Sequence, residues 1–195
     1  MMINQSIHTS ANIDYTAIIK GNVSIGENTY IAPGVIISAA HGSIEIGANT
    51  VIMENAIIRS SAKFDCTIGD NVLIGPKACI TGATIHNACF IATNATIFHG
   101  SEILSGSVVA VNGIVHVGTY CPENSYIKIN HVAFGNPAVI YAPAEIDALH
   151  TEVRKLGFAK YVYDMDVTGM NTSGVYTAMT NLIVERMKNQ IIEIK

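Results

Sequence analysis

Isoleucine recurs every six residues through most of this chain, a period that neither an amphipathic helix nor a simple alternating strand produces. The series runs Ile13, Ile19, Ile25, Ile31, Ile37, then Ile46, Ile52, Ile58, then Ile68, Ile74, Ile80. A five-residue step leads to Ile85, and hexads resume through Ile91, Ile97, Ile103, Val109 and Val115. Only two long steps interrupt it, nine residues from 37 to 46 and ten from 58 to 68. Two positions before most anchors stands a smaller residue, such as Ala17, Val35, Ala56, Cys66, Ala78, Cys89 or Ser101. A unit with one large and one small inward residue, punctuated by IGEN, IGAN or IGDN, cannot bury its apolar side alone. It must stack on copies of itself. Three hexads close one triangular coil, so the spacing predicts an all-β, parallel β-helix of about six coils.

Composition narrows the function classes. Apolar residues make up 49% of the 195 and charged residues 13%, about half the usual share, which excludes a disordered chain. A net charge of -4 without any Lys/Arg run offers nothing to neutralise phosphates, so no nucleic-acid partner is expected. No stretch approaches a membrane span, and the first residues lack a basic start followed by an apolar block. A cytoplasmic protein with no membrane partner is the expectation. The four cysteines form no CxxC pair and read as free thiols. Cys66 and Cys89 fall on small inward positions and are expected in the core.

The charge density changes at Pro143: residues 1–143 hold 13 charged residues, and the 52 residues of 144–195 hold another 13. We expect a β-helix domain over 1–143. Residues 144–195 are expected to form a C-terminal α-helical extension that packs on it or on a neighbouring protomer. Ile146, Leu149, Val153 and Leu156 form a helical stripe ending at Gly157, and a second helix is predicted after Asn171-Thr172-Ser173. Its expected apolar face is Tyr176, Met179, Leu182, Ile183 and Met187. Between them FAKYVYDMD reads as an extended arm.

The segments IGENT, IGANT and IGDNV, the two loop positions, and the exit INHVAFGNPAVI before a helix resemble the γ-class carbonic anhydrase-like proteins of the hexapeptide-repeat transferase superfamily. The likeness covers residues 10 to about 156. It implies a left-handed coil and a homotrimer with small-molecule sites between protomers. It also implies a metal held by three histidines, two stacked on one protomer and one from the next. Their positions here read otherwise: MENAIIR puts Arg59 at the first, and IGPKACITG puts Pro76 and Thr81 at the other two. The family's catalytic arginine and glutamine correspond to Ser38 and Met53, and only the acidic neighbour remains, as Glu54. Arginine has no lone pair to give, and proline and threonine are not zinc ligands. No metal is therefore expected, and without one the hydration of carbon dioxide loses its nucleophile.

Three function classes remain. The leading expectation is a zinc-free relative that binds a small anionic or acyl ligand at the trimer interface through Glu54, Arg59, Lys77 and Thr81, without hydration chemistry. Arg59 would offer its fork to a carboxylate or phosphate, or pair internally with Glu54, and the internal pair is the blander reading. The alternative is an acyltransferase that takes acetyl-CoA or another acyl-CoA as substrate, with no other cofactor and with His99, His116 or His41 as general base. If the protein is an enzyme, this is favoured over a carbonic anhydrase. The third is a structural or assembly subunit. Counting hexads places Arg59, Thr81, Phe98 and His116 in one outward column, with His99 beside it, and His41 in the first loop.

Overall fold

The computed structural model describes residues 5–192, and the chain divides into a larger unit up to Leu149 and a smaller one from His150 onward. The larger unit is a left-handed β-helix of triangular cross-section. Its first face stacks Asn12–Ile13, Tyr30–Ile31, Val51–Ile52, Leu73–Ile74, Phe90–Ile91, Val108–Val109 and Tyr126–Ile127 in parallel register. The second face carries part of Ile18–Ile25 and of Ile36–Ile46, then Ile57–Arg59, Cys79–Thr81, Thr96–Ile97, Ile114–Val115 and Val132–Phe134. The third carries Gln5–Ile7, the far ends of the same two long strands, then Cys66–Ile68, Thr84–Ile85, Glu102–Ile103 and Tyr120–Cys121. Because those two strands run around a corner, the second and third faces join into one sheet of 13 strands, while the first stands alone with 7.

Each face thus has seven strands, one coil more than the isoleucine series predicts. The extra length comes from the ends, where the same direction is held by Ile7 and by Cys121, Ile127 and Ala133. Cysteine and alanine at two of these points hide the period from a count of large aliphatics. The anchors from Ile31 to Val115 are 3% exposed or less and form one continuous core. Burying each isoleucine contributes about 1.5–3 kcal/mol, set against the entropy of ordering the chain.

Inward polar residues are small and bonded to the neighbouring coil. Thr29 Oγ1 donates to the Gly47 carbonyl (2.7 Å) and accepts the Thr50 N–H (3.1 Å), and Thr50 Oγ1 donates in turn to the Gly69 carbonyl (2.8 Å). The turns need a left-handed residue, and asparagine supplies it at 28, 49, 55, 71, 94, 112, 124 and 130. Asn112 Nδ2 donates to Asn130 Oδ1 at 3.0 Å, one rung of such a stack. Lys77 and Ala88 hold the same conformation without asparagine's tolerance for it.

The outer surfaces differ. On the first face Tyr30, Leu73, Phe90 and Tyr126 are 39–54% exposed, and on the second Ile18 and Ile36 are also exposed. The third turns Ser24, Glu45, Thr67, Thr84, Glu102 and Tyr120 outward in the equivalent positions. Two apolar sides therefore meet along one edge, and the remaining side is mostly polar.

The three irregular steps all fall at the corner from the second face to the third, on successive coils. They are the nine residues from Ile37 to Ile46, the ten from Ile58 to Ile68 and the five from Ile80 to Ile85. After Phe134 the chain turns back as Val139–Tyr141, antiparallel to Val132–Phe134.

Helix α1 spans Ile146–Leu156, α2 Phe158–Tyr163 and α3 Thr172–Ile192. Of the stripe expected on α1, Leu149 is buried and Val153 and Leu156 are half-buried, while Ile146 is exposed. The extended arm expected at FAKYVYDMD is instead α2. Tyr161 N–H bonds to the Gly157 carbonyl (2.9 Å) and Asp164 N–H to that of Lys160 (3.1 Å), and Ala159 and Val162 share the buried side. Six residues are too few for their apolar spacing to separate a helix from an extended segment. Asn171 caps α3 by accepting the Gly174 N–H at 2.9 Å. Of the expected stripe on α3, Met179, Leu182 and Ile183 are half-buried, while Tyr176 and Met187 are exposed. Among the described residues no helix is long and apolar enough to cross a membrane.

Candidate functional site

The irregular corner gathers the residues with chemistry. Each second-face strand ends on an inward anchor followed by one outward residue, and Arg59 lies in register with Ser38 below and Thr81 above. The column continues upward through Phe98, His116 and Phe134, whose positions differ by the 18 residues of a regular coil. The His116 ring lies 5.5 Å from the Phe98 ring and 5.5 Å, edge-on, from that of Phe134. His99, next along from Phe98, packs against Phe64 at 6.0 Å between ring centroids.

Phe64 reaches His99 because of the lengths of two neighbouring steps. The ten-residue step carries Phe64 outward over the following coil, and the five-residue step there leaves only Gly82 at the corner. Gly82 adopts φ +53°, and a Cβ on it would come within 2.7 Å of Phe64 Cβ and 3.4 Å of His99 Cδ2. The notch is open only to glycine. Below it, Ser60 Oγ donates to the His41 carbonyl (2.6 Å) and Asp65 Oδ1 accepts the Ser43 N–H (2.6 Å), so the two long loops brace one another.

Both histidines of this edge titrate low. Burial lowers the pKa of His99, with the Arg59 charge adding to it, and burial alone lowers that of His116. In each ring Nδ1 is sealed inside the protein without a hydrogen-bond partner among the described residues, while Nε2 is not so sealed. His41 has the opposite orientation, with Nε2 sealed.

The downward shifts carry a stability consequence. Between each folded pKa and the ordinary 6.5, the unfolded chain binds more protons than the folded protein. Stability is therefore complete above 6.5 and is lost as pH falls through that window. Thermal unfolding followed by circular dichroism is expected to give a lower midpoint at acid pH, and a doubly substituted His99→Gln, His116→Gln protein a flatter dependence. A wild-type midpoint indifferent to this window would contradict burial of the two rings.

Two further candidates lie elsewhere. Glu54 and Lys77 are stacked on adjacent coils, the Lys77 N–H bonding to the Glu54 carbonyl at 3.0 Å, but on the opposite edge of the second face. Among the described residues no ion pair joins Arg59 to Glu54, and Arg59 is exposed. His41 sits three coils from His99, about 14 Å at the usual strand spacing. The edge thus lines up His41, Arg59, Thr81, His99 and His116 within one protomer, with His41 at its lower end beside Ser60 and His99 and His116 at its upper end, and leaves Glu54 and Lys77 outside. Sequence reasoning missed Phe64, Gly82 and Phe134. Phe134 was findable by adding 18 to His116, whereas Phe64 and Gly82 depend on how two odd-length steps nest.

Three of the four cysteines are sealed in the core. Burial pushes the thiols of Cys66 and Cys121 up to about 12 and raises that of Cys89. Such thiols are not nucleophiles near neutral pH.

The family described as "Bacterial transferase hexapeptide (six repeats)" matches residues 65–99, within the stacked coils. The matched stretch is hexapeptide-repeat in sequence as it is in architecture. Among curated relatives, the chain is 31% identical to "Gamma carbonic anhydrase 1, mitochondrial" of Arabidopsis thaliana, over 63% of its own length and 45% of the relative's. It therefore spans less than half the length of that relative. It is also 27% identical to "Carnitine operon protein CaiE" of Escherichia coli, over 74% of the chain and 70% of the relative. A solved structure of a "putative acetyltransferase" from Bacillus cereus is 24% identical, covering 79% of this chain and 87% of that one, with a TM-score of 0.43.

The metal implied by the carbonic anhydrase resemblance does not fit the residues present. Two of the three ligand positions are Arg59 and Thr81, side by side in the sheet, and the third is Pro76. A permanently charged guanidinium stands where a cation would. Among the described residues no group of three His, Cys, Asp or Glu side chains could hold a metal ion.

Proposed function

We propose that this protein is a CoA-dependent acyltransferase whose general base is a histidine of the Arg59–His116 edge. The observation that carries the reading is a pair of imidazoles held neutral at physiological pH by burial, each with Nε2 as its outward nitrogen. A neutral imidazole is the form able to take a proton. Nε2 would accept the hydrogen of an acceptor hydroxyl or amine as its oxygen or nitrogen attacks the thioester carbonyl. The tetrahedral intermediate would then break its C–S bond, and the imidazolium would return the proton to the departing thiolate, giving acylated acceptor and free CoA.

In the form of the ring that accepts at Nε2, the proton sits on the sealed Nδ1. That N–H is present in both protonation states, so it is burial of the charged form that makes the base weaker than free imidazole. The transferase description of the matched family supports this reading over ligand binding without turnover.

The apolar first and second faces support an assembly of three copies that leaves the third face in water, with the reactive edge beside the contact. The test is incubation with acetyl-CoA and a panel of small hydroxyl and amine acceptors, with thiol release followed spectroscopically and acetyl-CoA binding measured by calorimetry. Saturable binding and acceptor-dependent thiol release are expected. Absence of both sinks the reading. Sedimentation of the same sample is expected to give three times 20.8 kDa, and a monomer overturns the trimeric assembly.

A further inference from the structure

We propose that Arg59 is the anchor for a carboxylate or phosphate on the acceptor, so that the acyl group goes to an anionic hydroxy or amino compound. The inference rests on the acyl-transfer reading for its chemistry and on geometry for its site. Arg59 is exposed, has no ion pair among the described residues, and has the Thr81 hydroxyl directly beside it in the sheet. No carboxylate among the described residues is paired with it. Asp65 Oδ1 accepts the Ser43 N–H, and Glu54 stands on the far edge of the face. Lys63, on the loop that follows, holds its ammonium 5.5 Å from the Phe64 ring centroid.

The guanidinium and the His99 imidazole are two coils apart, about 10 Å at the backbone. Thr81 stands on the coil between and Phe64 packs on His99, which suits an acceptor with an anionic group at one end, a short middle and a nucleophile at the other. A planar fork beside a hydroxyl matches a carboxylate or phosphate bidentately, a geometry that lysine does not reproduce. CoA is also a phosphate carrier, so the same anchor has a second chemical source, and the test must separate the two.

The experiment is calorimetric titration of the full chain with succinate and with inorganic phosphate, then in the presence of CoA or of CoA lacking its 3′-phosphate. Saturable binding of the small dianions is expected, weakened about ten- to a hundred-fold in Arg59→Met and less in Arg59→Lys. Dianion binding that persists alongside saturating CoA assigns the anchor to the acceptor. Displacement by CoA but not by the 3′-dephosphorylated form assigns it to CoA and overturns the proposal, as does binding unaltered in Arg59→Met or absent from the wild type. None of these readouts requires turnover. Failure of acyl transfer therefore leaves the anion site standing, and failure of the anion site leaves acyl transfer standing.

Discussion

Replacing His99 or His116 by alanine is expected to lower acyl transfer by about 10²- to 10⁴-fold, the usual worth of a positioned general base. That corresponds to about 2.7–5.5 kcal/mol of barrier. The two substitutions differ in side effects. His116 fills the space between Phe98 and Phe134, so alanine there also opens a gap in a packed aromatic column. His116→Gln keeps most of the volume while removing the basic ring nitrogen, and His99→Gln does the same beside Phe64. Thiol release and thermal unfolding measured on these four variants and on His41→Ala separate lost chemistry from lost packing. A large fall in one histidine series, with folding retained, names the base. Full activity in every variant sinks the mechanism, and a fall confined to His41→Ala moves the chemistry three coils away.

The second large effect is structural. Ile91→Ala, in the middle of the first face and fully buried between Ile74 and Val109, is expected to destabilise the β-helix by about 2–5 kcal/mol. At roughly 2–4 °C per kcal/mol for a chain of this size, the midpoint of thermal unfolding falls by about 4–20 °C. The cost arises because each anchor touches only its own coil and its two neighbours, and no distant element can move in to fill the cavity. Unfolding monitored by circular dichroism and calorimetry checks it. A loss under about 1 kcal/mol would contradict a continuous, closely packed interior at this level.

The β-helix was legible because its physics is periodic. One isoleucine per hexad records the direction of every strand, and the departures from six mark the loops. The seventh coil was hidden because Cys121 and Ala133 do the work of isoleucine at the tapering end. The second helix was hidden because the apolar residues of Phe158–Tyr163 satisfy two periods over so short a stretch. The column Arg59, Thr81, Phe98, His116 was legible by counting, since equal coils keep a residue's direction. What counting could not provide was the partner of His99. Phe64 arrives there from a ten-residue step over a five-residue one, and Gly82 has no side chain to announce itself. Nor does a short separation in sequence mean a shared edge: Glu54 is near Arg59 in sequence and Lys77 near Thr81, yet both stand a full face away in space.

All three departures from the six-residue rhythm lie on a single edge, and the other two edges keep strict time. An insertion or deletion at that edge lengthens or shortens a finger without shifting the phase of any later rung, because the next anchor re-enters the same stack. Recognition can therefore be rewritten there while the scaffold stays untouched. A library that varies residues 39–43 and 60–65 in length as well as identity should yield folded proteins at a rate that the same changes on either other edge would not approach.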